Sequence, residues 1–540
     1  MHPFNLLAEN WIPVRRADSS TDRIAPWRIT GPDPPCVDID TPRPDFKGAL
    51  LELLIGLVQT AFPPENDKAW KRGFKEPPSP ETLQAAFAPL LPFFNLFGNR
   101  PLFLQDLTLT EAEAKTPSPI AALLMDTPGE NATRHNGDFF IKRDQPPDKL
   151  CPACAVAALA TMQAYAPSGG VGYRVSIRGG GPLTTLVIGD TLWETVWTNV
   201  LPLDERNVAP LPHDPAAIRD KVFPWTAPTH VSRKEGSEIH RAAAHFLHHY
   251  WGMPRRILLA PDEEAQASAC PLCGQPHTVF VRRFWTTNYG NNYGLGWRHP
   301  LTPYRDQGPG KEPLSLKGIS EGRGYNHWLG LVIGDGDQEK FPVKPARAVF
   351  HYRYREAVYG GETKSIGRLR AFGYDTDNMK VRNWCEGEYP IYPLDPGADN
   401  AFLGEVTPLV QAADQVRRNL QTAVKEALFS DGARDAKTDA TLLAAVSARF
   451  WADTESAFYA LVRETIDRLG NLEKLQTAYE GWRDTLLAAA NAIFAAVAED
   501  GGAPPRKAKQ IYAALNRMRA FNYVGCSKIL GIPTQKEARN

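Results

Sequence analysis

Two CxxC pairs, Cys151-Pro-Ala-Cys154 and Cys270-Pro-Leu-Cys273, constrain this chain more than any other feature, because they use four of its seven cysteines. Each pair places a proline after its first cysteine, and Gly274 follows the second pair. CxxC spacing lets two thiolates reach one ion from a tight turn, and two such knuckles complete a tetrahedral four-cysteine zinc site. Redox CxxC motifs or unrelated buried thiols are the alternatives; the duplicated knuckle favours zinc. Four thiolates leave no position for water or substrate, so such a site is structural. It would staple the helix start at Ala155 to a strand near Thr278, two segments far apart in sequence.

The other cysteines, Cys36, Cys385 and Cys526, are isolated, which suits a reducing compartment. The opening MHPFNLLAENWIPVRR lacks a basic stretch followed by an apolar core, so no signal peptide is expected. No run approaches the roughly 18 uninterrupted apolar residues of a membrane span. A cytoplasmic protein with no membrane partner is therefore expected. Lys+Arg and Asp+Glu both number 61, and the pI is near 7.2. A protein that coats nucleic acid by itself carries a basic excess, so any nucleic-acid contact here would be a local patch on a larger assembly.

A chain of 540 residues exceeds one ordinary core. To about residue 400 it is dense in Pro, Gly, Trp and Tyr, and from Ala401 it turns Ala/Leu/Glu/Arg-rich. The expected fold is α+β: a large mixed α/β domain over residues 1–400 carrying the zinc site, then an antiparallel four-helix bundle over 401–540. Leu472, Leu475, Tyr479, Trp482, Leu486 and Ile493 form one stripe at helical spacing, and Phe450, Ala457 and Val462 continue another. Breaks at Ser430-Asp-Gly, Gly470-Asn and Gly501-Gly-Ala-Pro-Pro imply short connections, hence antiparallel neighbours. No Glu-x-x-His pair occurs on these helices, which argues against a di-metal bundle. Arg506, Lys507, Lys509, Arg517, Arg519 and Lys528 on the last helix read equally as a solvated face or a phosphate-facing patch.

In the larger part, Ala49–Gln59 and Ala155–Tyr165 read as buried helices, and Leu183–Ile188, Thr278–Val281 and Ala346–Tyr354 as strands. Three loops carry candidate binding chemistry. One is Ala166-Pro-Ser-Gly-Gly-Val-Gly-Tyr173, leading to Arg174 and to Arg178-Gly-Gly-Gly-Pro182; glycines beside arginine let backbone approach a phosphate or base edge, although a plain turn is the simpler reading. A second, residues 131–149, mixes Phe139 and Phe140 with Arg134, Lys142 and Arg143, a combination suited to nucleic-acid backbone or to a mobile polar loop. The third, Thr286 to Gly294, is dense in Asn and Tyr. Catalytic constellations are poor. His245 and His249 on a predicted helix from His240 to Trp251 lack an HExxH glutamate, and a packed or exposed helix face is the better reading.

The opening Phe4-Asn-Leu-Leu-Ala-Glu-Asn-Trp11-Ile-Pro-Val14, the two knuckles, and the run from Gly170 through Arg178-Gly-Gly-Gly-Pro182-Leu-Thr-Thr resemble the CasA family, large subunits of type I-E CRISPR Cascade surveillance complexes. The resemblance spans almost the whole chain. It implies a non-catalytic DNA-recognition subunit, in a complex where guide RNA reads the target by pairing and the subunit inspects the short PAM duplex beside it. The family reads the PAM from the minor groove with a glycine loop and a lysine finger, and splits the first pair with a wedge. Implied partners are the other Cascade subunits, the crRNA, PAM-bearing double-stranded DNA and a helicase–nuclease that degrades the target.

Carried over by position, the glycine loop becomes Gly170, Val171 and Gly172 with Tyr173 behind it, and the finger falls at Asn288, which carries no charge. Arg282, Arg283 and Lys317 are candidates for the missing cation. The wedge falls at Asp377, Asn378 and Met379, and the loop before the first knuckle places Phe140, Lys142 and Arg143 at contact positions. Rival readings are a zinc-dependent nucleic-acid-processing enzyme, such as a nuclease or deaminase with an open metal position and a nearby glutamate, and a zinc-bearing nucleic-acid adaptor outside CRISPR systems.

Overall fold

The segment Pro44–Ala61 (α1) is apolar on nearly every side from Gly48 to Val58, with Glu52 its one charge there, and such a helix is stable only inside a core. Every residue from Gly48 to Thr60 is buried. Two glycines set how closely its neighbours approach: a Cβ on Gly48 would lie 2.7 Å from the Phe372 ring, and one on Gly56 3.1 Å from Tyr250.

The computed structural model describes residues 3–31, 33–127, 147–167, 169–204, 219–234, 237–319, 324–335, 342–359, 366–377, 380–429, 440–469, 472–499 and 508–534. It leaves out the side chains of 356–359, 377, 380, 429, 440, 472–475 and 499. Two compact units result, one from residues 1–320 and 345–392, the other from 321–344 and 393–540.

In the first unit, strands Ile12–Arg16 (β1), Thr21–Ile24 (β2) and Cys36–Ile39 (β3) form an antiparallel sheet in the order β2–β1–β3. Helix Pro152–Tyr165 (α2) packs against α1. Strand Thr184–Ile188 (β4) joins a second antiparallel sheet described below. Arg256–Ala269 (β5) and Pro276–Thr287 (β6) form a long hairpin whose register shifts twice. Helix Arg347–Tyr359 (α3) follows, then Gly367–Asp377 (β7) and Lys380–Ile391 (β8), which complete the sheet β8–β7–β4. Phe94, Phe103, Phe223, Trp225 and Trp251 meet edge to face at centroid separations from 5.1 to 6.3 Å, the geometry aromatic quadrupoles prefer.

Two expectations are corrected. Ala346–Tyr354 is not a strand but the start of α3, since Ala348 and Val349, Tyr352 and Arg355 recur at helical spacing and are the buried positions. The run from His240 to Trp251 is not one helix. It forms two 3-10 turns, Arg241–Ala243 and Phe246–Trp251, broken where the His245 ring accepts the Leu247 N–H at 3.2 Å, a local bond that competes with helical pairing.

The second unit holds four long helices, Asp399–Phe429 (α4), Ala440–Asp467 (α5), Leu472–Phe494 (α6) and Ala508–Leu530 (α7). On α4 the buried positions Phe402, Val406, Leu409, Ala413, Val416 and Leu420 follow alternating four- and three-residue steps, the apolar stripe of a helix packed along its length. On α6 the expected stripe is buried at Tyr479, Trp482, Leu486 and Ile493. Tyr325, from the shorter segment of this unit, stacks on Phe458 with ring centroids 4.2 Å apart and bonds Thr454 through its hydroxyl at 2.9 Å.

Candidate nucleic-acid interface and four-cysteine centre

Cys151 caps α2, with Pro152 at its first turn, and its carbonyl accepts the Ala155 N–H at 2.9 Å. Pro fits there because a first-turn N–H has no helical partner. Cys270 and Cys273 occupy the β5–β6 turn, closed by Cys270 N–H to the Gln275 carbonyl and Gly274 N–H to the Cys270 carbonyl, both 2.8 Å, with Gly274 at φ +73°. Leu150 and Val281 exchange two backbone bonds of 2.8 and 2.9 Å, which brings the knuckles together. The four sulfurs lie within 4.8 Å of one another, and Cys151 and Cys273 Sγ are 3.7 Å apart. Bond lengths of about 2.3 Å around a tetrahedral ion put sulfurs roughly 3.8 Å apart, so this donor set fits such an ion. Arg23 Nη2 donates to Cys273 Sγ at 3.5 Å, a contact that steadies a thiolate. Hydrogen bonding from Cys151 holds the Cys270 thiol low and brings Cys273 down to about 6, whereas Cys154 is pushed up by its bond with Cys151.

A second cluster joins the glycine loop to the loop after β6. Asn288 Nδ2 donates to the Val171 carbonyl at 2.8 Å, and Tyr289 N–H to the Gly172 carbonyl at 2.7 Å. Gly172 lies at φ +77° and Tyr289 at φ +64°. A Cβ on Gly172 would stand 2.9 Å from Asn288 Cβ and 3.0 Å from the Tyr289 ring, so only glycine admits this approach. Val171 at the tip is 79% exposed and Tyr173 42% exposed, so the loop faces solvent.

The base of the loop is anchored by arginines. Arg255 lies 4.9 Å from the Tyr173 ring and donates to the Pro167 carbonyl at 2.6 Å, and burial lowers its pKa to about 10. Arg174 Nε donates to Ser232 Oγ at 2.7 Å, and that hydroxyl donates to the Gly290 carbonyl at 2.7 Å. Ser232 N–H donates to the Tyr289 carbonyl at 3.1 Å. Arg233 follows, exposed, 5.5 Å from the Tyr289 ring. Sequence reasoning missed Arg233 and Arg255, while Tyr289 lay in the Asn- and Tyr-dense loop singled out from the sequence. The basic Arg233-Lys234 pair was visible, but its neighbour Tyr289 is far along the chain.

The triple glycine serves packing. Arg178 is buried, donating to Glu52 Oε2 at 2.9 Å, Thr184 Oγ1 at 2.9 Å and the Ala164 carbonyl at 3.2 Å, so it offers nothing to a phosphate. A Cβ on Gly181, at φ +61°, would meet Thr376 and the Tyr374 carbonyl at 2.9 Å. The loop thus braces the β7–β8 hairpin near its tip, whose paired register ends at Asp377 and Lys380. Asn378, Met379 and the Asp377 side chain lie outside the described residues, as do Phe140, Lys142 and Arg143.

Among the suggested cations, Arg282 is committed to Asp148 at 3.0 Å, Asp262 at 3.6 Å and Glu264. Arg283 is exposed on β6, and the Lys317 backbone bridges Pro182. His248 bonds Tyr293 Oη at 3.1 Å and the Lys221 carbonyl at 3.0 Å, and His249 the Phe246 carbonyl at 2.7 Å. Among the described residues the cysteines are the only cluster with metal-ligand geometry.

The CRISPR-associated protein Cse1 family model matches residues 5–493. The chain belongs to the Cse1 family. Solved structures of like fold include Thermobifida fusca Cse1, 17% identical with a TM-score of 0.73 over 98% of this chain and 99% of that one. CasA of Thermus thermophilus is 19% identical, TM-score 0.67, over 96% and 100%. A chain of a CRISPR RNA-guided surveillance complex is 18% identical, TM-score 0.69, over 97% and 100%. At such identities the likeness is one of fold. Both cysteine knuckles and the Asn288–Val171 junction of this Cse1-family chain lie inside the matched residues. No helix among the described residues is long and apolar enough to cross a membrane.

Proposed function

We propose that this chain is the non-catalytic large subunit of a type I-E CRISPR Cascade complex, which inspects the PAM of double-stranded target DNA from the minor groove. The observation that carries the reading is the Asn288–Val171 bond in a Cse1-family chain, because it fixes an exposed glycine loop against a second polar loop. Backbone at Gly170–Gly172 approaches the groove closely, and Asn288 lies at its edge. Minor-groove reading separates A·T from G·C but tells A·T from T·A, or G·C from C·G, only poorly, which suits tolerance of several PAMs.

Asp377, Asn378 and Met379 then act as the wedge that splits the first pair, at a cost of a few kcal/mol of stacking, before the guide RNA zips onward. Phe140, Lys142 and Arg143 touch DNA and guide. The ion held by Cys151, Cys154, Cys270 and Cys273 is zinc, structural, one per chain, and it fixes the starts of α2 and β6 next to these loops. Residues 401–540 form an antiparallel four-helix bundle that helps hold the separated strands, and the subunit recruits the helicase–nuclease. A hydrolytic zinc enzyme would need an open coordination position, and four thiolates leave none.

Co-expression with the remaining Cascade subunits and a crRNA tests this. The reading expects the full chain to co-purify with the RNA-bearing complex, and expects tight duplex binding from the complex but weak binding and no nuclease, ATPase or deaminase turnover from the chain alone. Cleavage by the pure chain, abolished by a point substitution in it, would overturn the reading.

A further inference from the structure

Asn288 brings no charge to the loop junction, and one of its amide N–H bonds is already given to Val171. Four arginines near the junction face inward or are neutralised. Arg174 is held by Ser232, Arg255 is buried beneath Tyr173, Arg256 is locked between Asp106 and Glu113, and Arg282 lies among three carboxylates. Arg233 differs. Ser232 pins its backbone to Tyr289 at 3.1 Å, its guanidinium lies over the Tyr289 ring at 5.5 Å, and it is exposed. Among the described residues it makes no ion pair or hydrogen bond through its side chain. Lys234 beside it is exposed as well.

A guanidinium resting on an aromatic face keeps its donor edge outward in a limited set of orientations, so less rotamer freedom is lost when it binds. Placed beside an exposed glycine loop, that edge suits phosphate, which guanidinium binds bidentately. We propose that Arg233 and Lys234 clamp the backbone phosphates of the DNA strand flanking the groove that the Gly170–Gly172 loop enters, with Tyr289 as the platform for Arg233. This rests on the duplex-reading function proposed above. The pair adds affinity without adding sequence preference, because phosphate contacts position a protein while base contacts specify.

The test is a salt titration of duplex binding, between about 50 and 200 mM salt, by the reconstituted complex and by the full chain alone. Arg233→Gln and Lys234→Gln should each weaken binding to the same extent on every PAM sequence. Each should also lower the slope of log affinity against log salt by about 1. Arg233→Lys should restore the slope. Tyr289→Leu should weaken binding while leaving the slope near native, since the charge remains. An unchanged slope in Arg233→Gln, or a re-ranking of PAM sequences by it, would overturn the clamp. Failure of the PAM reading looks different: Gly172→Val, whose Cβ has no room at φ +77°, would then leave PAM ranking untouched, while a lowered slope in Arg233→Gln would still support the phosphate contact.

Discussion

The side-chain amide of Asn288 donates to the main-chain carbonyl of Val171 at 2.8 Å, across 117 residues of sequence. One bond thus joins the loop after β6 to the tip of the glycine loop, and the adjacent Tyr289–Gly172 backbone bond of 2.7 Å doubles the connection. The same β6 strand begins just after the second cysteine knuckle, so four-cysteine cluster, hairpin and loop junction form one mechanical series along the chain.

Loss of the metal should be felt as loss of fold. Cys270→Ser, or treatment with a strong zinc chelator, should lower the melting temperature and raise hydrogen exchange in both the Gly170–Tyr173 and Asn288–Gly290 loops, since metal binding is coupled to folding. Metal analysis should return one zinc per chain. A metal-free protein that melts unchanged would refute the stapling role.

The buried Arg178–Glu52 pair supports the region beneath the loops. Arg178→Met leaves the Glu52 carboxylate buried without its partner, which typically costs about 3–5 kcal/mol. Arg178→Met with Glu52→Leu should recover much of that loss in denaturant unfolding, because no uncompensated charge remains. Equal losses in the single and double variants would contradict the ion-pair account.

How far the chain could be read beforehand follows from the range of the interactions. The four-cysteine cluster was legible because each knuckle is local and the metal chemistry allows few pairings. Helix α1 was legible because a run such as ALLELLIGLVQ has no exposed face. Arg178 was not: its partner Glu52 lies 126 positions away, so glycines beside an arginine read as ligand chemistry when they serve packing. Helix α3 was mistaken for a strand because ARAVFHYRY alternates aromatic and polar residues, while its helical face includes Arg355, buried by a bond to Asp67 at 2.9 Å. A charged residue on the inward face hides the period. The β5 strand was hidden for another reason: its second half, with Asp262 and Glu263 exposed, carries no apolar face to show a period.

Acid should loosen the first unit. Burial, aided for His249 by Arg241 and Arg347, holds His248 down to about 4 and His249 to about 3. Unfolded imidazoles titrate near about 6.5, so between these values the unfolded chain binds more protons. Stability present above pH 6.5 is then lost as pH falls toward 4, by roughly 3 kcal/mol from His248 alone. Denaturant midpoints at pH about 7.5 and about 5 check this. His248→Gln should flatten the dependence, and a midpoint that does not move in the native chain would rule the account out.

The wedge assignment predicts a substrate-dependent defect. Asn378→Ala with Met379→Ala should slow R-loop formation on duplex targets, where a stacked pair must be opened. On pre-melted targets the same complex should behave almost as native. Equal impairment on both substrates would make these two residues structural.

Binding of the reconstituted complex to a randomised PAM library tests the central claim most directly. Asn288→Ala removes the tie to Val171 and one polar group from the proposed groove, and Gly172→Val removes the close approach. Both are expected to change the rank order of PAM sequences while crRNA loading stays native. A rank order identical to native in both variants, with binding intact, would show that the PAM is read elsewhere.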